Sequence, residues 1–410
     1  MTVLRDRPAT TEAHELGIAD TGKAAPAVVI GLDCITGLQT ARTLASRGVP
    51  VIGIACERTH FACRSRAVGR VIASPTSGEA VLAALAELAG DLRPGHPAVL
   101  FPCTDAAVAT LSAGRDWLDR RYRLLLPDHG IVERLMDKRA FSEYATALGL
   151  PIPRTICLRD RAGAERAARE LTFPVALKPG VKTGCWLRLA GAKAFKVADG
   201  AELLAQYDRC AGWADELVAM EWVVGGEDCL YSCNAYFDAS GRALATFVAR
   251  KLRQWPPETG TSCLGEEVRN DVVLDETVRL FQGAGFHGLA YLEMKRDERT
   301  GRHYIIEPNV GRPTGRSAIA EAGGVELLMT AYCDAVGAPL PKARWQTYGH
   351  AKWVYLRHDL QAAAYHWRRG NLSAREYLRS VGGPKVDAVW KRRDALPFVL
   401  DLWRALRKRA

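Results

Sequence analysis

Two glutamates and an asparagine are spaced for chemistry within GLAYLEMKRDERTGRHYIIEPNVGRPTGRS, which runs from Gly288 to Ser317. Glu293 interrupts an apolar run, where an unpaired carboxylate is costly to bury. Glu307 and Asn309 end a second apolar run two residues apart, so on a strand they share a face. Two carboxylates and an amide carbonyl suit a hard divalent cation such as Mg²⁺, which keeps waters and bridges protein carboxylates to phosphates. The elements that must position them are two strands, Leu289 to Lys295 and His303 to Ile306. A polar turn over Arg296 to Arg302, containing Gly301, joins them. An antiparallel hairpin would bring the three oxygens together. The plainer alternative is a surface hairpin with solvated acids.

Phosphate chemistry is legible upstream. FPVALKPGVKTG carries Lys178 off an apolar strand into a turn with Gly180 and Gly184, a way of presenting a cation and free N–H groups to phosphates. Lys182, Arg188, Lys193 and Lys196 add charge to that loop. In ELVAMEWVVGGEDCLYSCNAYFD a strand from Leu217 to Val224 meets Gly225 and Gly226, and Glu227 is placed to accept from a diol such as ribose. An ordinary hairpin is the alternative. LATFVARKLRQWPPETG reads as a strand that becomes a basic loop at Arg250, Lys251 and Arg253, set to hold a carboxylate or phosphate. Lys138, near the start of a helix over IVERLMDKRAFSEYATALG, reads by itself as a solvated face.

AVVIGLDCITGLQTARTLASRGVPVIGIA gives strand, turn, helix and strand, a βαβ unit that implies a parallel sheet. Its Gly31 and Gly37 do not form the GxGxxG fingerprint of dinucleotide binding. A second cycle runs through a helix, Glu79 to Ala89, into a strand, Ala98 to Pro102. Asp105 follows at the strand end that faces ligands in open α/β sheets, or else it caps the next helix. Pro151 and Pro153 mark a boundary.

The chain of 410 residues is too long for one core, and two to four domains are expected. No run of about 18 apolar residues predicts a membrane span, and the first residues lack the apolar core of a secretory signal. Eleven cysteines, an odd number with no CxxC pair, fit a reducing, cytoplasmic compartment. Cys229 and Cys233 lack a partner pair at zinc spacing. The net charge of +10 is concentrated in residues 341–410, which hold 16 Lys or Arg and 5 Asp or Glu, leaving the body near −1. A neutral body carries no general nucleic-acid footprint.

The ordered set of Lys138, Lys178, the strand Met220-Glu221-Trp222-Val223, Glu227, Glu293, Glu307 and Asn309 resembles the ATP-grasp superfamily. Within it, the set is most similar to the carboxylate–amine ligases, the group of the D-aspartate and D-alanine–D-alanine ligases. The likeness spans roughly residues 25 to 340. It implies an α/β and α+β architecture: a Rossmann-like domain over 25–130, after a flexible leader over 1–24, then an ATP-grasp domain over 131–340. Its lid would cover about 152–216 and its larger subdomain 217–340, with a basic, mostly helical extension over 341–410.

The same resemblance implies site roles. Lys138 and Lys178 would hold the α- and β-phosphates of ATP. Backbone from Met220 through Glu221 to Val223 would bind adenine, and Glu227 the ribose. Glu293, Glu307 and Asn309 would hold Mg²⁺, or Mn²⁺ in its place, while Arg312 or Arg316 would face the transferring phosphoryl group. Two features depart from the family. The loop KPGVKTGCWLRLAG lacks Gly-Ser-rich wording, and Tyr291 stands where many relatives keep an arginine, a charge that Arg253 or Arg250 would supply.

The implied reaction joins a small-molecule carboxylate to an amine through an acyl phosphate, releasing ADP and phosphate. No protein nucleophile is needed, in keeping with the lack of a Ser–His or Cys–His arrangement. The rivals are carboxylation through carboxyphosphate, phosphoryl transfer without ligation, and ATP binding without catalysis. A dehydrogenase would leave the later lysines and acids unexplained.

In the basic tail, DALPFVLDLWRALRKRA places Leu396, Val399, Leu400, Trp403 and Leu406 on one helical face. Packing of that face on its own domain is the favoured reading. The alternative is an interfacial helix on anionic lipid at the inner face of the membrane.

Overall fold

The computed structural model describes residues 24–180, 184–192, 194–257 and 260–407. The leader up to residue 23, Lys182, Lys193 and Lys408 lie outside the described residues. The first domain is a five-stranded parallel sheet of β1 (Ala27–Ile30), β2 (Val51–Ala55), β3 (Arg70–Ala73), β4 (Val99–Pro102) and β5 (Arg123–Leu124), in the order β3-β2-β1-β4-β5. It carries helices α1 (Ile35–Ser46), α2 (Gly78–Asp91), α3 (Asp105–Ala113) and α4 (Arg115–Leu118). The order reverses between β1 and β4, and open α/β sheets place ligands in such a crevice. Gly37 has a packing reason, because a Cβ there would meet the Gly31 carbonyl oxygen at 2.4 Å. The glycines let α1 start tight against β1 without any nucleotide fingerprint.

The helix expected around Lys138 is two, α5 (His129–Met136) and α6 (Lys138–Ala147). Asp137 breaks them: its side chain accepts from the Ala140 N–H and caps α6, so Lys138 is the first residue of its own helix.

The region expected as the lid holds a four-stranded antiparallel sheet in the order β6-β9-β7-β8, made of β6 (Thr155–Leu158), β7 (Val175–Pro179), β8 (Phe195–Val197) and β9 (Leu217–Glu221). Helices α7 (Arg161–Glu170), α8 (Gly184–Ala190) and α9 (Gly200–Cys210) accompany it. A core of its own includes Leu177, Trp186, Leu203 and Ala219. Strand β9 bonds to β6 and β7, so this sheet runs through Glu221.

The larger subdomain has seven strands in the order β14-β13-β10-β11-β12-β15-β16. They are β10 (Leu230–Phe237), β11 (Ala243–Trp255), β12 (Thr261–Glu267), β13 (Gly288–Arg296), β14 (His303–Val310), β15 (Lys352–Val354) and β16 (Lys385–Asp387). Helices α10 (Asp271–Gly283), α11 (Ala318–Ala322) and α12 (Leu327–Val336) complete it. Strand β9 lies in the lid sheet and β10 in this one, so the Gly225-Gly226 turn is a crossing between subdomains and not a hairpin. The two cores on the faces of this sheet also take in the first domain: Val29 joins one, Val28 and Ile30 the other.

The C-terminal extension is less separate than its composition implies. Strands β15 and β16 lengthen the large sheet, and helices α13 (Leu356–Arg368), α14 (Ala374–Val381) and α15 (Leu396–Arg407) follow them or lie between them in the chain. Three-residue strands leave no alternation to detect in a sequence.

Candidate functional site

The hairpin read from the sequence is β13 paired with β14, and Glu293 lies directly opposite Glu307, Tyr291 opposite Asn309. A bulge falls just after the acidic pair, between Glu293 and Met294, so it leaves their register intact. Ser232 of β10 stands opposite Glu293 on the other side, giving a row of Ser232, Glu293 and Glu307 across three strands. The hairpin is anchored at Gly288, where a Cβ would meet the Leu125 carbonyl oxygen of the first domain at 2.2 Å.

Like charges directly opposite on a sheet repel. Both glutamates are half-buried, and among the described residues neither has a hydrogen-bond or ion-pair partner. Asn309 is buried; its Oδ1 accepts from Arg312 Nη2 at 2.7 Å, and its Nδ2 has no partner among the described residues. An amide oxygen keeps a second lone pair, so the three residues fit a hard cation such as Mg²⁺.

Arg316 reaches the same row. Its Nη2 donates to Ser232 Oγ at 2.9 Å, while its buried Nη1 has no partner among the described residues. Burial pulls its pKa below the usual arginine value, and the charge of Glu293 opposes that pull. Arg312 is instead tied down: Nε donates to Asp105 at 2.5 Å, Nη1 to the Tyr291 hydroxyl at 2.7 Å and Nη2 to Asn309. Burial lowers its pKa, but Tyr291 and Asp105 outweigh burial and hold the proton more firmly than usual. Burial also raises the Tyr291 phenol. The arginine beside Tyr291 is therefore Arg312, and neither Arg250 nor Arg253 supplies that charge. Thr104 caps α3 through the Ala107 N–H, which frees Asp105 for Arg312.

A cavity of about 420 Å³ lies between lid and body. Lys138, Lys178, Met220, Asp105, Glu307 and Asn309 line it, with Phe141, Ile152, Val218 and Ile306 among its apolar walls. Lys138 Nζ donates to the Pro179 carbonyl at 2.8 Å, and Lys178 Nζ lies 3.6 Å from Met220 Sδ. Lys138, Lys178, Glu307 and Asn309, far apart in sequence, thus converge. The apolar walls went unread because Phe141 and Ile152 look like ordinary core positions.

Other expected residues lie elsewhere. The basic loop at Arg250 to Arg253 is the interior of β11, and its cations are engaged: Arg250 with Glu266 across the β11–β12 ladder, Lys251 with Gln254 at 3.0 Å, and Arg253 with Asp359 at 2.7 Å. Arg253 is buried and also donates to Ser380, so the structure gives it to the extension and not to a substrate. Glu227 accepts from the Gln254 N–H at 2.9 Å and lies 3.8 Å from His366, outside the cavity lining. In the expected adenine segment, the N–H groups of Glu221 and Trp222 already bond to Arg154 and Pro174, and the Glu221 carboxylate accepts from Thr172. Val223 is buried just beyond the end of β9. Lys196 sits over the Trp222 ring, with Lys295 also placed over it. Arg188 lies on α8, because Trp186 turns part of the expected loop into a helix by inserting into the lid core.

No family model matches the chain. The D-aspartate ligase of Enterococcus faecium is 23% identical over 229 residues, 54% of this chain and 54% of that protein. A D-alanine–D-alanine ligase of Ectopseudomonas mendocina is 26% identical over 224 residues, 50% of this chain and 66% of that one. The chain thus matches about half the length of the first of these relatives. Among solved structures, an ADP complex of N5-carboxyaminoimidazole ribonucleotide synthetase aligns with a TM-score of 0.62 at 14% identity, over 84% of this chain and 86% of that chain. The biotin carboxylase domain of Hydrogenobacter thermophilus 2-oxoglutarate carboxylase, with MgADP and bicarbonate, aligns with a TM-score of 0.62 at 15% identity, covering 78% and 71%. L-amino acid ligase from Bacillus licheniformis gives 0.57 at 14%, covering 78% and 75%. The fold is the ATP-grasp fold, and the chain is similar to carboxylate–amine ligases of that type.

Proposed function

We propose that this protein is an ATP-dependent carboxylate–amine ligase that forms an amide and releases ADP and phosphate. The observation that carries the reading is the facing pair Glu293 and Glu307, without a hydrogen-bond or ion-pair partner among the described residues, beside Asn309 and an Arg316 N–H that has no partner among them; Glu307 and Asn309 line the cavity that also holds Lys138 and Lys178. Glu293, Glu307 and Asn309 would hold Mg²⁺, and the same oxygen donors would accept Mn²⁺. The cation, when bound, offsets phosphate charge.

In the proposed reaction a substrate carboxylate oxygen attacks the γ-phosphorus of ATP, giving an acyl phosphate and ADP. The amine then attacks the acyl carbon and phosphate leaves. Lys138 and Lys178 orient the phosphates, and Arg316 donates to the transferring group the N–H that has no partner among the described residues. Arg312 holds Asn309 and Tyr291 in place. Positioning and charge stabilisation do the work, with no protein nucleophile. The small lid core lets the lid close as a unit and keep water from the acyl phosphate. Eleven unpaired cysteines suit a cytoplasmic setting.

The test is phosphate and ADP release from Mg·ATP against amino acids, hydroxy acids, amines and bicarbonate, with Glu307→Gln alongside. One acid and one amine should together stimulate release and yield a condensed mass, while the variant stays silent. Turnover stimulated by bicarbonate alone, or by no acid paired with an amine, would reject ligation.

A further inference from the structure

Helix α15 does not bury the face expected to pack. It docks through Asp401, which accepts from Tyr355 and Arg357, and through Phe398 and Leu400, while Leu396, Val399, Leu402, Trp403 and Leu406 stay exposed. Eleven of the fourteen large apolar side chains exposed among the described residues lie between Trp345 and Leu406. Four of the eleven are tryptophans. The pattern is local, so it is more than the ordinary scatter of surface apolar groups.

Between α13 and α15 runs an apolar groove of about 750 Å³, lined by Leu356, Leu360, Ala364, Phe398, Leu402 and Leu406 and bordered by Arg368. The extension's acids are turned to internal tasks. Asp359 pairs with Arg253, Asp394 with Arg42, and Asp401 with Arg357. Asp387 accepts from backbone N–H groups, and Glu376 completes a capping box with Ser373. Arg368, Arg369, Arg375, Arg392, Arg393 and Arg407 are exposed, with no acidic partner among the described residues. The outward face is therefore both apolar and strongly positive.

We propose that this face binds an anionic phospholipid surface, with Leu402, Leu406, Trp403 and Trp367 entering the headgroup–acyl boundary and the arginines meeting lipid phosphates. Tryptophan prefers that boundary, and anionic lipid attracts basic segments. No helix among the described residues is long and apolar enough to cross a membrane, so the contact lies along the surface. A second copy of the chain is the poorer occupant, because a symmetric contact would set this positive face against itself.

The experiment is sedimentation of the full chain with vesicles of phosphatidylcholine alone or mixed with phosphatidylglycerol. Binding is expected only with the anionic lipid, falling as salt rises. Arg368→Gln and Arg369→Gln should each weaken it about fivefold. Leu402→Glu with Leu406→Glu should abolish it while the shift in melting temperature caused by Mg·ADP is unchanged, which shows that the variant is folded. Equal binding to both vesicles, no binding, or full binding by the leucine variant would overturn the proposal. So would a dimer in solution that Leu406→Glu dissolves, since the face would then seat a second copy.

Discussion

Strand β11 and the β13–β14 pair both carry charges within the large sheet, and they differ in what those charges meet. On β11, Arg250 faces Glu266, Lys251 meets Gln254, and Arg253 spends its guanidinium on Asp359 and Ser380. On β13 and β14, Glu293 and Glu307 face each other without a hydrogen-bond or ion-pair partner among the described residues, and the nearby Arg316 has an N–H with no partner among them. A charged group bonded on every side serves the fold. One left unsatisfied at a cavity edge costs stability and is available to a ligand.

The largest effect that would sharpen this contrast is on stability. Arg253→Ala leaves Asp359 buried without its cation, and breaking such a pair costs about 3–5 kcal/mol. Chemical denaturation should show that loss. If Arg253→Ala is as stable as wild type but inactive, the division between the two regions fails. Glu307→Gln is the opposite case: it removes one of two repelling charges, so stability should hold or rise while turnover drops about 10³-fold. Steady-state rates and melting curves on one preparation check both halves.

A smaller effect belongs to the junction of lid and body. Asp297 accepts from the Val224 N–H at 3.2 Å and from the backbone of Arg299 and Thr300. The Arg299 hydrogen bond leads in lowering its pKa to about 2, against the opposing effect of burial. The depressed carboxylate therefore adds stability above its unfolded value of 3.8, lost as pH falls toward 2. Asp297→Asn should cost about 1–3 kcal/mol at neutral pH. The variant should also show faster amide exchange at Val224.

The last prediction is one of sign. Burial raises Glu321 to about 8, with Arg47 opposing and Glu326 adding to the rise. Its contribution to stability is full below the unfolded value near 4.5 and is lost as pH rises toward 8. Glu321→Gln should flatten melting temperature against pH over that window. An unchanged slope would count against it.

The hairpin of Glu293 and Glu307 was legible because its signal is local: period-two spacing fixed which side chains share a face, and the bulge comes one residue too late to spoil it. The first βαβ unit was legible for the same reason. The fate of Arg253 was not, since Asp359 lies 106 residues away and nothing near either residue marks the pairing. Lys138 shows a middle case, where the Asp137 cap is local but looks like one more charge in a helix. Helix α15 was read correctly as a helix with an apolar face. Which way that face turns depends on Asp401 being drawn inward to Tyr355 and Arg357, a contact outside the helix.

The most direct test of the central claim is calorimetric binding of ADP with and without Mg²⁺, to wild type, Glu293→Gln and Glu307→Gln. Binding to wild type should tighten with the metal, and each substitution should remove that gain while metal-free binding persists. Metal-dependent binding that survives both substitutions would show that the facing carboxylates do not hold the ion.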